Sequence, residues 1–272
     1  MAILKSISEG LKFSISIKRI ASYLILNLVL FYMLIDFFGK MFRYAMGLIG
    51  IDSVILSLFT YIPIFIILAL IGIWINGAII DQAKYYRKKR LLIKSFKYST
   101  SRFLTMFCAL VIYVIINAIF SSTRYIGYLL SIVINLIFFY LYQAIIVDKK
   151  GCINSFKQSW RVFKNYPLET FVTWLLVVII GFIIIGIFAL PIIFYLLWDL
   201  ASAFQTMALV NVNETMYETI FRSEIIPIIA NSISSVYFLP YLFIFCIGLA
   251  IQKVFSLGAK TRLYINLKKR EF

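Results

Sequence analysis

Six runs of apolar residues, at 20–38, about 54–80, 103–120, 125–147, 168–190 and about 225–257, dominate the sequence. Each approaches or exceeds the roughly 20 residues that a helix needs to cross the hydrocarbon of a bilayer. The chain is 63% hydrophobic and 14% charged over 272 residues, whereas soluble domains carry roughly 45–50% apolar and about 25% charged residues. A soluble core has no room for that excess. The expected fold is therefore all-α: a polytopic helical membrane protein with six transmembrane helices joined by short amphipathic segments. The second and sixth runs are long enough to tilt or kink, and Pro63 and Pro240 supply places for it.

The same composition narrows the chemistry. No His is present, which removes His-based acid–base catalysis and His-ligated metal or haem sites. Cys108, Cys152 and Cys246 follow no metal or redox spacing and read as small apolar residues. There is no Gly-rich phosphate loop, Asp-rich Mg²⁺ cluster, nucleophile elbow or Cys–His pair. Hence no catalytic residue, metal or cofactor is expected, and neither is an enzyme. Residues 1–19 are punctuated by charges and the run after them is long enough to span, so the first run reads as an uncleaved anchor.

The net charge of +16 becomes informative once it is sorted by loop. Of the 27 Lys and Arg, 23 fall in the N-terminal segment, residues 81–102, residues 148–167 and the C-terminal tail, where Lys253 and Lys260 are counted. The opposite side keeps only Lys40, Arg43, Arg124 and Arg222. Lys and Arg accumulate on the cytoplasmic side of short loops, so both termini are expected in the cytoplasm, in a multi-pass protein of the cell membrane. Insertion alone explains the cations, and no nucleic-acid partner is needed. On the outer side, Asp199, Glu214, Glu218 and Glu224 read as a solvated acidic face, and Asn213-Glu214-Thr215 as a glycosylation sequon.

A short pattern recurs in the basic segments. Gly10-Leu11-Lys12-Phe13-Ser14, Ser95-Phe96-Lys97-Tyr98-Ser99 and Ser155-Phe156-Lys157-Gln158-Ser159 all read [GS]-[LF]-K-x-S, and each stands shortly before a span. Asn76 precedes Asp81, and Gln143 precedes Asp148, by the same interval at the ends of two spans. The pattern suggests three parallel copies of helix–span–span, residues 1–80, 81–147 and 148–272, in one membrane domain. Residues 91–103 and 153–163 carry an apolar stripe with a basic flank, as do helices lying in a membrane interface. Packing on the ends of the chain's own bundle is the other reading. Lys12, Lys97, Lys157 and the run Arg87, Lys88, Lys89 and Arg90 are the candidate contacts to anionic lipid headgroups.

Nearly every span carries an amide: Asn27, Asn76, Asn117, Asn135, Gln143, Asn231 and Gln252. Facing hydrocarbon they are unfavourable, so they should point inward, either bonding across helices or lining a polar path. No ionisable pair is expected at mid-membrane, which removes the usual mark of an ion-coupled pump.

Ala144-Ile145-Ile146-Val147-Asp148-Lys149-Lys150-Gly151, followed by Ser155-Phe156-Lys157-Gln158-Ser159-Trp160, resembles a signature of multi-pass prokaryotic proteins. The group includes the membrane domain of some glycerophosphoryl diester phosphodiesterases and six-span archaeal proteins. The resemblance implies fold and membrane location. It carries over no catalytic residue, because in those enzymes the chemistry belongs to a separate soluble domain. The functional expectation is a non-enzymatic protein that handles lipid-like or hydrophobic molecules or forms a transport path. One alternative is a scaffold or accessory subunit whose amphipathic helices dock a partner, as a hetero- or homo-oligomer; another, a lipid-modifying enzyme, needs clustered acids facing one compartment, which the sequence does not assemble.

Overall fold

The computed structural model describes residues 2–45, 47, 50–86, 90–122, 126–208, 232 and 235–270. Among them the secondary structure is helical throughout: α1 (Ala2–Ser14), α2 (Ile17–Ala45), α3 (Ile51–Lys84), α4 (Leu92–Ser121), α5 (Gly127–Ile137), α6 (Leu141–Val147), α7 (Cys152–Asn165), α8 (Pro167–Ala208) and α9 (Leu239–Lys268). A 3₁₀ turn, Val236–Phe238, precedes α9. Six segments are long and apolar enough to cross a membrane: Ile17–Met41, Ile51–Lys84, Leu92–Ser121, Gly127–Val147, Pro167–Ala201 and Leu239–Lys268. The chain is an all-α, multi-pass membrane protein.

Four boundaries differ from those expected. Residues 91–103 and the third span form one continuous helix, α4, because no Gly or Pro separates them. The fourth span is interrupted at residues 138–140, between α5 and α6. The described part of the sixth begins at Leu239 and runs to Lys268, so Lys253, Lys260 and Arg262 lie on the helix and not in a tail. Pro240 is the second residue of that helix, where its missing N–H has no partner to lose, so it starts α9 and does not kink it. Pro63 stays inside α3. The proposed sequon, Arg124, Arg222, Glu214, Glu218, Glu224, Asn231 and the run Arg87, Lys88 and Lys89 lie outside the described residues.

Two compact units divide the chain: Met1–Tyr23, Ala69–Ile183 and Ala250–Phe272 in one, Leu24–Leu68 and Ile184–Leu249 in the other. In the second unit, Phe238, Leu242 and Cys246 pack against Leu24, Leu28, Phe31 and Ile192. Lys40 pairs with Asp36 at 2.7 Å, and the Tyr61 phenol donates to the same carboxylate.

In the first unit the buried residues concentrate at the basic ends of the spans. Ile79, Ile80 and Ala83 of α3, Ala144, Ile145 and Ile146 of α6, and Val254, Phe255, Leu263 and Tyr264 of α9 have no exposed surface. The basic segments pack on these ends through small residues. The two small positions of each five-residue pattern (Gly10 and Ser14, Ser95 and Ser99, Ser155 and Ser159) are all buried, one helical turn apart. Contact is close: a Cβ at Gly10 would lie 2.9 Å from the backbone nitrogen of Ala259, and one at Gly77 would lie 2.3 Å from Ser99 Oγ. Small residues let helix backbones approach without a hydrophobic driving force between them. The large apolar side chains of the same segments, Ile93, Ile153 and Trp160, are exposed alongside Lys97 and Lys157.

Candidate functional site

The interruption of the fourth span contains neither Gly nor Pro. Its residues are Phe138, Phe139 and Tyr140, and the cause lies on α7. The Ser159 hydroxyl donates to the Ile137 carbonyl at 2.8 Å and accepts the Tyr140 N–H at 3.3 Å. One hydroxyl thus satisfies both backbone groups freed where α5 stops, which a membrane interior otherwise makes costly. Tyr140 is locked beyond the break. Its phenol lies 3.2 Å from Thr170 Oγ1, its ring centroid lies 5.5 Å from that of Tyr264, and the Tyr264 phenol donates to Asp148 at 2.6 Å. Asp148 also pairs with Lys268 at 2.7 Å. The last carbonyls of α6 are capped from α3 and α4: Lys84 donates to Val147 at 2.8 Å, and the Tyr98 phenol to Ile146 at 3.1 Å.

A pocket of about 210 Å³ opens at this break, lined by Leu110, Tyr113, Asn135, Phe138, Phe139, Leu141, Tyr142, Trp174 and Lys260. Five helices and the break contribute, and the lining is mostly aromatic. Its polar groups include the Tyr113 phenol, which donates to Asn135 Oδ1, the Tyr142 phenol and the Lys260 ammonium. Lys260 sits 4.4 Å from the centroid of the Phe139 ring and makes no hydrogen bond or ion pair among the described residues. The polar strip continues along α4 and α5: Asn135 Nδ2 donates to the Ser131 carbonyl at 2.8 Å, and Ser131 Oγ donates to Asn117 at 2.9 Å. Such a pocket can hold a headgroup or one end of a chain against aromatic rings, with a cation at its edge.

The described amides have separate surroundings. Asn76 accepts the Tyr23 phenol at 2.5 Å, Asn27 donates to the Cys246 carbonyl at 3.4 Å, Gln143 is buried, and Gln252 lies against Gly181. Among the described amides, only Asn117 and Asn135 share a network. Of the candidate headgroup contacts, Lys12, Lys97 and Lys157 are exposed on the basic segments. Arg90 is committed elsewhere: its guanidinium pairs with the buried Asp81 at 3.1 Å and lies over the Tyr85 ring.

A larger cavity, about 430 Å³, lies at the basic ends between Lys5, Glu9, Lys84, Tyr85, Arg262 and Lys269. Lys84 caps α6, and Arg262 pairs with Glu9 at 3.2 Å. Lys84 and Lys269 sit at the C-terminal ends of α3 and α9, the position the helix dipole favours for positive charge.

The sequence reading missed both the break and Lys260. The break leaves no local propensity signal; only the recurring Ser159 hinted at a contact. Lys260 counts as a tail charge when the sixth run ends at residue 257, whereas α9 continues to Lys268. Compared with known proteins, the chain matches no protein-family model, no curated protein and no solved structure.

Proposed function

We propose that this membrane protein is non-enzymatic and binds a lipid-like amphiphile at the break in its fourth span. The interruption carries the reading. Non-helical backbone at membrane depth persists where it is buried in protein or lines a cavity, and discontinuous helices mark binding sites in membrane transport proteins. Here the interruption opens onto aromatic rings, which suit an apolar chain, and onto Lys260 and the Tyr113–Asn135 pair, which suit a polar head. Asn27, Asn76 and Asn117 each bond to a different neighbour, which favours lateral binding over a continuous amide-lined path.

The basic ends are proposed to face the cytoplasm, with Ile93, Ile153 and Trp160 among acyl chains and Lys97 and Lys157 among anionic headgroups. Kinship with the six-span membrane domains that residues 144–160 resemble fits such a role. A photoactivatable amphiphile, cross-linked to the reconstituted protein, tests the site. Adducts on peptides holding Phe138–Tyr142 and Trp174 are expected, and adducts confined to the exposed faces of α4 and α8 would refute it. Cysteine labelling tests orientation in variants lacking the native cysteines: Lys157→Cys should react only from inside and Tyr128→Cys only from outside.

A further inference from the structure

Lys253, whose side chain is exposed, lies further along the span than a loop charge can. Residues 170–198 of α8 carry no charge, and Gly181 lies about 17 Å into that stretch at 1.5 Å per residue. Gln252 sits directly against Gly181: a Cβ there would be 3.0 Å from Gln252 Nε2. Lys253 follows Gln252, at membrane depth. Lys260 lies two turns further along α9, about 10 Å away, at the edge of the pocket. Seven residues are close to two full turns, so the two side chains leave the same face of α9. Neither meets a carboxylate or carbonyl among the described residues, and nearby acids are engaged: Asp148 with Lys268 and Tyr264, Glu169 with Arg270. Two like charges inside a span are costly, and groups of this kind mark pathways or ligand counter-ions.

We propose that the Lys253–Lys260 face of α9 binds the phosphate of an anionic amphiphile, the phosphate neutralising both lysines while the chain lies along the break in the fourth span. The proposal rests on the amphiphile reading of that pocket and adds the headgroup class. A carboxylate supplies one negative charge to two cations, whereas a phosphate monoester carries about −1.5 to −2 at neutral pH and three acceptor oxygens.

The test is native mass spectrometry of the full chain with phosphatidic acid, phosphatidylcholine and diacylglycerol of identical acyl chains, and with inorganic phosphate as competitor. Phosphatidic acid is expected to bind at least about tenfold more tightly than the other two. Lys253→Gln/Lys260→Gln should bring it down to the phosphatidylcholine level and leave diacylglycerol binding unchanged. Lys253→Arg/Lys260→Arg should keep the preference, which separates charge from folding. Millimolar inorganic phosphate should leave the lipid bound. Displacement by phosphate alone would overturn a lipid as the source of the group. Equal binding of all three lipids, or an unchanged preference in the Gln variant, would overturn the phosphate inference and leave the amphiphile site standing. Failure to bind any of the three would overturn both.

Discussion

Removing the hydroxyl of Ser159 should unseat the fourth span more than any other serine substitution in the chain. In Ser159→Ala, the Ile137 carbonyl and the Tyr140 N–H lose the partner that holds them at 2.8 and 3.3 Å. Ser159 and Tyr140 are fully buried, so water does not replace it. A buried neutral bond contributes about 0.5–1.5 kcal/mol, and an orphaned buried donor or acceptor costs about 1–3 kcal/mol. With one strong and one long contact, a loss of about 2–4 kcal/mol follows. At roughly 2–4 °C per kcal/mol for a chain of this size, the unfolding midpoint falls by about 5–15 °C. Ser99→Ala is the matched control. Ser99 makes the corresponding bond to the Trp74 carbonyl at 2.6 Å, but α3 is uninterrupted there, so that carbonyl keeps its helical partner and the loss is about 1 kcal/mol. Unfolding followed by intrinsic fluorescence in one detergent, with exposed Ser101→Ala as baseline, measures all three. If Ser159→Ala costs no more than Ser99→Ala, Ser159 does not stitch the break.

Other substitutions probe the packing at the basic ends and elsewhere. Gly10→Ala places a Cβ 2.9 Å from the backbone of Ala259 and should cost about 1–3 kcal/mol by forcing α1 off α9. Gly39→Ala meets nothing within 4 Å and should stabilise α2 by up to about 1 kcal/mol; thermal midpoints of opposite sign are the check. Lys149 holds a φ of 57° just past α6, where Lys150 N–H reaches back to the Ala144 carbonyl at 3.2 Å. Lys149→Gly should therefore raise stability by about 1 kcal/mol in urea unfolding, and a decrease would contradict the strain. A double-mutant cycle of Tyr23→Phe with Asn76→Leu should return a coupling of about 0.6–2 kcal/mol; additive losses would mean that the bond between them contributes nothing.

The span count was legible because each run is apolar and about as long as a bilayer is thick, a signal that needs no tertiary information. The pattern holding Gly10, Ser14, Ser95, Ser99, Ser155 and Ser159 was legible as a spacing, but their burial was not, because it depends on the helices they pack against. The interruption at residues 138–140 was not legible, since Phe138, Phe139 and Tyr140 favour no break and Ser159 imposes it from another helix. Hydropathy also misled the reading of α9. The sixth run ends near residue 257 by hydropathy, so Lys253 and Lys260 are counted with the tail cations. With the helix running from Leu239 to Lys268, the same two lysines fall inside it, and a charge first assigned to membrane insertion becomes part of the candidate site.

The central claim, that an amphiphile occupies the pocket at the break, is tested most directly from Trp174, which lines it. A variant retaining only Trp174 among the tryptophans, titrated in detergent with a brominated phosphatidic acid, should show saturable quenching. A variant retaining only Trp198, which is exposed on the same helix, should show quenching that rises without saturation. Saturation at both tryptophans, or at neither, would contradict the claim.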